Sequence, residues 1–99
     1  MNRVFKALSD PTRRRILQML RARDMTAGEI AEGFDLSKPT LSGHFAILRD
    51  ADLVTSGKAG ATITSRLNLS VLEDALLGFA ESFGLGAKAA APPLAEEEA

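Results

Sequence analysis

Apolar positions recur at helical spacing through the first half of the chain. Val4, Phe5 and Leu8 make a short amphipathic run in MNRVFKALS, and Ile16, Leu17 and Leu20 share one face of TRRRILQMLRAR. Asp10 precedes Pro11, a capping acid followed by a residue whose missing N–H has no partner in a first turn anyway. The second helix is therefore predicted to start there and to end near Asp24. TAGE at 26–29 has the spacing of a capping box, Thr26 answered by Glu29, and opens a short helix, 26–33, with Ile30, Ala31 and Phe34 as its apolar positions. Ser37 caps the next helix, 37–50. There Leu41, Phe45 and Leu48 fall at i, i+4 and i+7, and Pro39 lies in the first turn, where it removes no intrahelical bond.

Beyond Asp50 the period changes from helical to alternating. LVTSGKAGATITSRLNL divides into two short strands around Gly57-Lys58-Ala59-Gly60, with Ile63 and Leu67 on one face of the second and Thr62, Thr64 and Arg66 on the other. The result is a hairpin with a basic tip. SVLE at 70–73 repeats the capping-box spacing and begins a final amphipathic helix carrying Val71, Leu72, Ala75, Leu76, Phe79 and Phe83. From Gly84 onward, GLGAKAAAPPLAEEEA offers little to bury, so residues 85–99 are predicted to be a disordered tail after a domain of residues 1–84. Four helices, a hairpin and a helix form the order of a winged helix-turn-helix, mainly α with a small β-hairpin. Helices 26–33 and 37–50, joined by GFDL, are its turn motif.

Composition adds limits to this outline. A chain of 99 residues holds one small core, and cores of that size often gain stability from a second copy. The absence of cysteine removes disulfides, thiolate metal sites and cysteine nucleophiles together. No apolar run reaches membrane-spanning length and the N-terminus lacks the apolar stretch of a signal peptide, which leads us to expect a cytoplasmic protein. The net charge of −1 conceals an asymmetry. Residues 1–66 carry eleven Lys/Arg against seven Asp/Glu, whereas residues 67–99 carry one against six. Half of the acid in that second block lies in the terminal EEEA, so the compact part of the molecule is more basic than the total implies.

Gly43 breaks the economy of its helix, because glycine costs roughly 1 kcal/mol against alanine in a helix interior. On a helical wheel Leu41, Phe45 and Leu48 define the buried side, while Pro39, Ser42, Gly43 and Ala46 point away and Lys38 and Thr40 are exposed near the N-terminus. Long donors, hydroxyls and small residues are what a helix needs to approach base edges and phosphates closely. The candidate DNA contacts are accordingly Ser37, Lys38, Pro39, Thr40, Ser42 and Gly43, with His44 peripheral, and Lys58 and Arg66 from the wing, where phosphates or a minor groove would pass. His44 is the only histidine and has neither catalytic partners nor further metal ligands in view, so a structural or DNA-proximal role fits it. The run Arg13-Arg14-Arg15 admits two readings, a phosphate clamp or a solvated helix face with Arg13 in a structural ion pair.

ALSDPTRRRILQML, MTAGEIAEGFDLSKPTLSGHFAILRDADLV and the hairpin after them resemble the ArsR-type transcriptional repressors. The run DMTAGEIAEGFDLSKPTLSGHF is particularly similar to the SdpR-like branch, and the resemblance covers residues 2 to about 83. It implies a homodimer that binds a palindromic operator and blocks transcription. It also implies an interface from the first and last helices, here Val4, Phe5, Leu8, Leu72, Leu76, Phe79 and Phe83. Many members have histidine where this chain has Gly43, and that departure leaves one base contact open.

Many members of the family answer to metals, through cysteines on the helix before the recognition helix or through Asp, Glu and His on the last helix. In this chain EIAEGF has no cysteine, and the last helix offers Glu73, Asp74 and Glu81 without histidine. Carboxylates alone make a poor zinc or nickel site, so neither metal regulation nor a cofactor is expected. SdpR-like relatives point instead to a membrane partner that sequesters the repressor. An enzyme is not indicated, since no nucleophile stands with a base and no glycine-rich phosphate loop is present. The alternative to a DNA-binding repressor is a winged-helix module that binds protein without DNA.

Overall fold

The side chains at the helix starts supply the bonds that fix them. In the structure, a computed structural model that describes residues 2–85, the order is α1 (Asn2–Leu8), α2 (Pro11–Ala22), α3 (Ala27–Ala31), α4 (Lys38–Asp50), β1 (Val54–Ala59), β2 (Thr62–Leu67) and α5 (Leu69–Ser82). The Asp10 carboxylate accepts from the Arg13 N–H at 3.1 Å. Thr26 and Glu29 close a reciprocal capping box, the Glu29 N–H donating to the Thr26 hydroxyl at 3.1 Å and the Thr26 N–H to the Glu29 carboxylate at 2.9 Å. Ser37 accepts from the Thr40 N–H at 3.3 Å. Three of the predicted starts are thus built by the residues that signalled them.

At the end of α4, Asp52 adopts a left-handed φ of 61°. The N–H of Asp52 then reaches the Arg49 carbonyl and that of Leu53 the Leu48 carbonyl, both at 3.0 Å, the paired bonds of a Schellman cap. Leu53 is fully buried, and the chain leaves the helix directly into β1. Asp is one of the few residues other than glycine that visits this conformation. At the end of α5 the same cap forms with Gly84 at φ 73°.

One core joins these elements. Ile16, Leu17 and Leu20 from α2, Ile30 from α3, Leu41, Phe45 and Leu48 from α4, Ala51 at its C-cap, and Leu53 and Val54 at the start of the hairpin are all buried, with Val4 and Ala7 of α1 and Ala75 of α5 completing the cluster. Each helix contributes the stripe its periodicity assigned to it. The proposed tail, 85–99, lies outside the described residues apart from Leu85.

Two sequence expectations require correction. The hairpin turns at Gly60-Ala61, not across Gly57–Gly60, because Ala59 pairs with Thr62 and Lys58 with Ile63 in an antiparallel ladder. Gly60 takes the positive φ of 63° that a two-residue hairpin loop demands, and Gly57, free of that demand, extends β1. The capping box at 70–73 does not form. The Asn68 N–H donates to the Leu53 carbonyl at 2.9 Å, which fixes where extended backbone ends; α5 then starts at Leu69 without a side-chain cap, and Ser70 falls inside its first turn.

A third contact was not foreseen from periodicity. Met25 and Ser65 exchange both backbone hydrogen bonds, at 3.1 and 2.7 Å, so the residue just before α3 acts as a one-residue strand beside β2. This bridge joins the turn motif to the wing.

Candidate nucleic-acid interface

The α3–turn–α4 unit displays one face of α4. Leu41, Phe45 and Leu48 face inward and are buried, while Lys38, Pro39, Thr40, Ser42, Gly43 and Ala46 are exposed. Ser37 donates its hydroxyl proton to the Thr40 hydroxyl at 2.8 Å while accepting from the Thr40 N–H. Both Ser37 bonds are spent on the cap, and the Thr40 hydroxyl keeps its own proton to donate outward. At Gly43 a Cβ would meet no atom within 4 Å, and its backbone has no positive φ. Nothing within the subunit requires a glycine there.

The wing separates its two cations. Lys58 is exposed one residue pair from the end of the ladder, near the loop. Arg66 lies near the base, opposite Thr55, and places Nε and Nη2 each 3.0 Å from the Asp24 carboxylate. This pair stands beside the Met25–Ser65 bridge, so Arg66 ties the wing to the segment before α3 and its charge is already answered by Asp24.

The arginine run also divides. Arg13 is buried, and its guanidinium donates to the Ala7 carbonyl at 2.8 Å, to the Lys6 carbonyl at 3.1 Å and to His44 Nδ1 at 3.1 Å. Its partners are two helix-end carbonyls and an imidazole rather than the carboxylate of the expected ion pair. Since a guanidinium only donates, Nδ1 must accept, which places the proton of the neutral ring on Nε2. Arg13 therefore fastens the end of α1 to α4. Arg14 donates to the Leu8 carbonyl at 2.7 Å, while Arg15 is exposed. The Asp10 carboxylate lies 3.8 Å from the same His44 nitrogen. Burial pushes the Asp10 carboxyl up, but the Arg13 and Thr12 N–H groups and the Arg13 guanidinium outweigh it, and the group ends below the ordinary carboxylate range.

Comparison with known proteins decides the lineage. A family model described as a helix-turn-helix domain matches residues 8–57, from the end of α1 into the wing. The transcriptional repressor SdpR of Bacillus subtilis (strain 168) is 51% identical over 76 residues, a match covering 77% of this chain and 84% of SdpR. The chain belongs to the ArsR family of winged helix-turn-helix transcriptional repressors. Its similarity is to the SdpR-like branch. The arsenical resistance operon repressor of Staphylococcus aureus is 38% identical over 74 residues, covering 75% of this chain and 71% of that one. Among solved structures, an ArsR-like transcriptional regulator from Rhodococcus sp. RHA1 superposes with a TM-score of 0.76 at 32% identity, over 84% of this chain and 77% of that chain. An ArsR-family repressor with a DNA-binding helix-turn-helix is a regulator of transcription and not an enzyme.

In this ArsR-family chain the residues expected at a dimer interface fall into two groups. Val4 is buried in the subunit's own core, Leu8 and Leu72 are half-buried against it, and Phe5 is half-buried beside Phe79. Leu76, Phe79 and Phe83 are exposed, joined by Leu77 on the same helix. Phe79 packs between Phe5 and Phe83 with ring centroids 4.9 and 5.1 Å apart and planes inclined at 54° and 62°, so α1 and the end of α5 present one continuous aromatic surface. Among the described residues no three His, Asp or Glu side chains stand close enough to share a metal ion, and no helix is long and apolar enough to cross a membrane. Sequence reasoning offered a structural role for Arg13 as one of two readings but not its carbonyl and imidazole partners, and it missed the pairing of Arg66 with Asp24.

Proposed function

We propose that the chain is a cytoplasmic homodimeric repressor that reads a palindromic operator with α4 and holds its phosphates with the wing. Gly43 is the observation that carries this reading. It is a helix-interior glycine whose missing side chain leaves open space on the exposed face of α4, so the demand for it comes from outside the subunit. Lys38, Thr40, Ser42 and Gly43 form the base-facing surface, with Ser37 and Pro39 shaping its start and His44 behind it. Lys58 is the wing contact, and Arg66, held by Asp24, contributes mainly by setting the wing's position. Dimerisation uses Phe5, Leu76, Phe79 and Phe83, with Leu8, Leu72 and Val4 supporting them from below. The domain responsible spans residues 1–84.

Regulation proceeds without a metal. The carboxylates of α5, Glu73, Asp74 and Glu81, lack the imidazole or thiolate that a zinc or nickel site needs. A sequestering protein partner is the off-switch that the SdpR-like resemblance implies. Two-fold symmetry puts the half-sites about 34 Å apart, or a multiple of that.

Selection from a random DNA pool, followed by gel-shift titration of Ser42→Ala and Lys58→Ala over several salt concentrations, tests the reading. Ser42→Ala should weaken binding to the selected site more than to random DNA, since a base-edge contact is worth roughly 1–3 kcal/mol of discrimination. Lys58→Ala should weaken both alike and lower the salt slope by about one. Recovery of no common sequence would favour the protein-interaction module.

A further inference from the structure

The exposed ridge of α4 has a groove on each side. One, of about 310 Å³, lies toward α3 and has Gly28, Lys38 and Ser42 on its walls. The other, of about 490 Å³, lies toward α1 and is lined by Arg3, Lys6, Ala46, Ile47 and Asp50. Ser42 and Ala46, both exposed on α4, are thus the two shoulders of the ridge. A helix seated in a major groove has sugar-phosphate backbone along both flanks, so the side chains lining these grooves come close to phosphates.

The side chains of α1 divide by direction. Val4 and Ala7 enter the core, Phe5 meets Phe79, and Leu8 lies with Leu72 and Leu76. Arg3 and Lys6 instead line the groove beside α4, whose lining has no residue in common with the proposed dimer interface. The subunit uses the Lys6 carbonyl, which accepts from Arg13, but its exposed ammonium lies within salt-bridge distance of no carboxylate among the described residues. Arg3 places Nε 3.8 Å from the Asp50 carboxylate, with the two side chains 73% and 67% exposed, a loose and solvent-screened pair that is readily exchanged. Asp50 lies in the last turn of α4, where a negative charge opposes the helix dipole, so the helix itself gives no reason for an acid there.

We propose that Lys6 and Arg3 form a phosphate seat on α1, separate from the wing, that grips the DNA backbone along the flank of α4 turned toward α1. The proposal rests on the repressor reading above. The Lys6 ammonium meets a backbone phosphate directly, while Arg3 exchanges the Asp50 carboxylate for phosphate oxygens, which its planar fork matches equally well. Asp50 thereby holds Arg3 in the free protein and moderates affinity for DNA. Because phosphates are the same in every sequence, this seat sets the strength of binding and not the choice of site.

The test combines gel-shift titrations of the full chain on the selected operator and on random DNA, over several salt concentrations, with ethylation interference on the operator. Lys6→Ala should weaken binding to both DNAs alike, by roughly three- to tenfold, and lower the salt slope by about one per subunit. It should also abolish interference at a phosphate in each half-site that Lys58→Ala leaves sensitive. Asp50→Asn should act in the opposite direction, tightening both complexes by roughly threefold, and that gain should vanish when Arg3 is also replaced by alanine. Helical content and self-association should match the wild type in every variant, since the altered side chains are exposed. A salt slope unchanged by Lys6→Ala but lowered by Lys58→Ala would overturn the seat on α1 and leave the repressor reading standing. Loss of operator binding alone would make Lys6 a reader of bases and overturn the seat equally. A gain from Asp50→Asn that persists without Arg3 would overturn the exchange. A wild type that binds neither DNA would overturn the repressor reading, and this proposal with it.

Discussion

At Gly43, packing and propensity give opposite instructions from those of the proposed interface. A Cβ there meets nothing within 4 Å, so Gly43→Ala should raise the stability of the free protein by about 0.5–1 kcal/mol, seen as a higher urea midpoint. The same change should weaken binding to the selected operator more than to random DNA, and unchanged operator affinity would remove Gly43 from the interface. Arg13 presents the converse case. Its planar fork serves the Lys6 and Ala7 carbonyls and His44 at once, which the single ammonium of lysine cannot do. Arg13→Lys should therefore destabilise by about 2 kcal/mol, the scale of lost hydrogen bonds to a buried charge. The salt slope of DNA binding should stay unchanged, because Arg13 does not face outward. A reduced slope would restore the phosphate-clamp reading.

Two helix starts depend on carboxylates, and this gives the elements a pH signature. Glu29 is held below the ordinary carboxylate range first by the Thr26 N–H, with burial opposing and the Arg23 guanidinium and Thr26 hydroxyl assisting. Asp10 ends below that range as well. Groups depressed in the folded state stabilise it fully above the unfolded value, and that contribution is lost as pH falls through the folded one. Urea midpoints of the wild type should thus be flat near neutrality and decline as the pH enters and passes below the carboxylate range. Asp10→Asn and Glu29→Gln should each start lower at neutral pH and decline less on acidification. A decline as steep as the wild type's in both variants would show that other groups control the acid limb.

For the molecule as a whole, the exposed surface of α5 is the feature a lone subunit leaves unexplained. Leu76, Leu77 and Phe79 on α5 and Phe83 at its C-terminal cap remain 45–66% exposed although the same helix buries Ala75. Sedimentation at micromolar concentration should find a dimer. Phe83→Asp, at a position 66% exposed and therefore tolerant within the subunit, should weaken association by roughly 30-fold or more, the effect of losing an interface hot spot. Helical content should be retained. A stable wild-type monomer would overturn the proposed interface.

How much of this could be read in advance depended on the range of the interaction. Helix positions, the α4 face and the caps at Asp10, Thr26 and Ser37 were legible because each depends on residues within one or two turns of each other, where periodicity and capping chemistry act directly. The aromatic run on α5 was legible for the same reason. Tertiary structure alone decided what came from distant partners. The Leu53 carbonyl, fifteen residues from Asn68, moved the start of α5 away from a well-formed local signal. Asp24 claimed Arg66 across forty-two positions, and the Met25 backbone found Ser65. Arg13 was drawn inward because His44, thirty-one residues on, and the end of α1 both presented acceptors to one buried guanidinium. A cation in a sequence looks the same whether it faces solvent, a phosphate or a carbonyl. Only the folded chain brings the acceptor that determines which of these it meets.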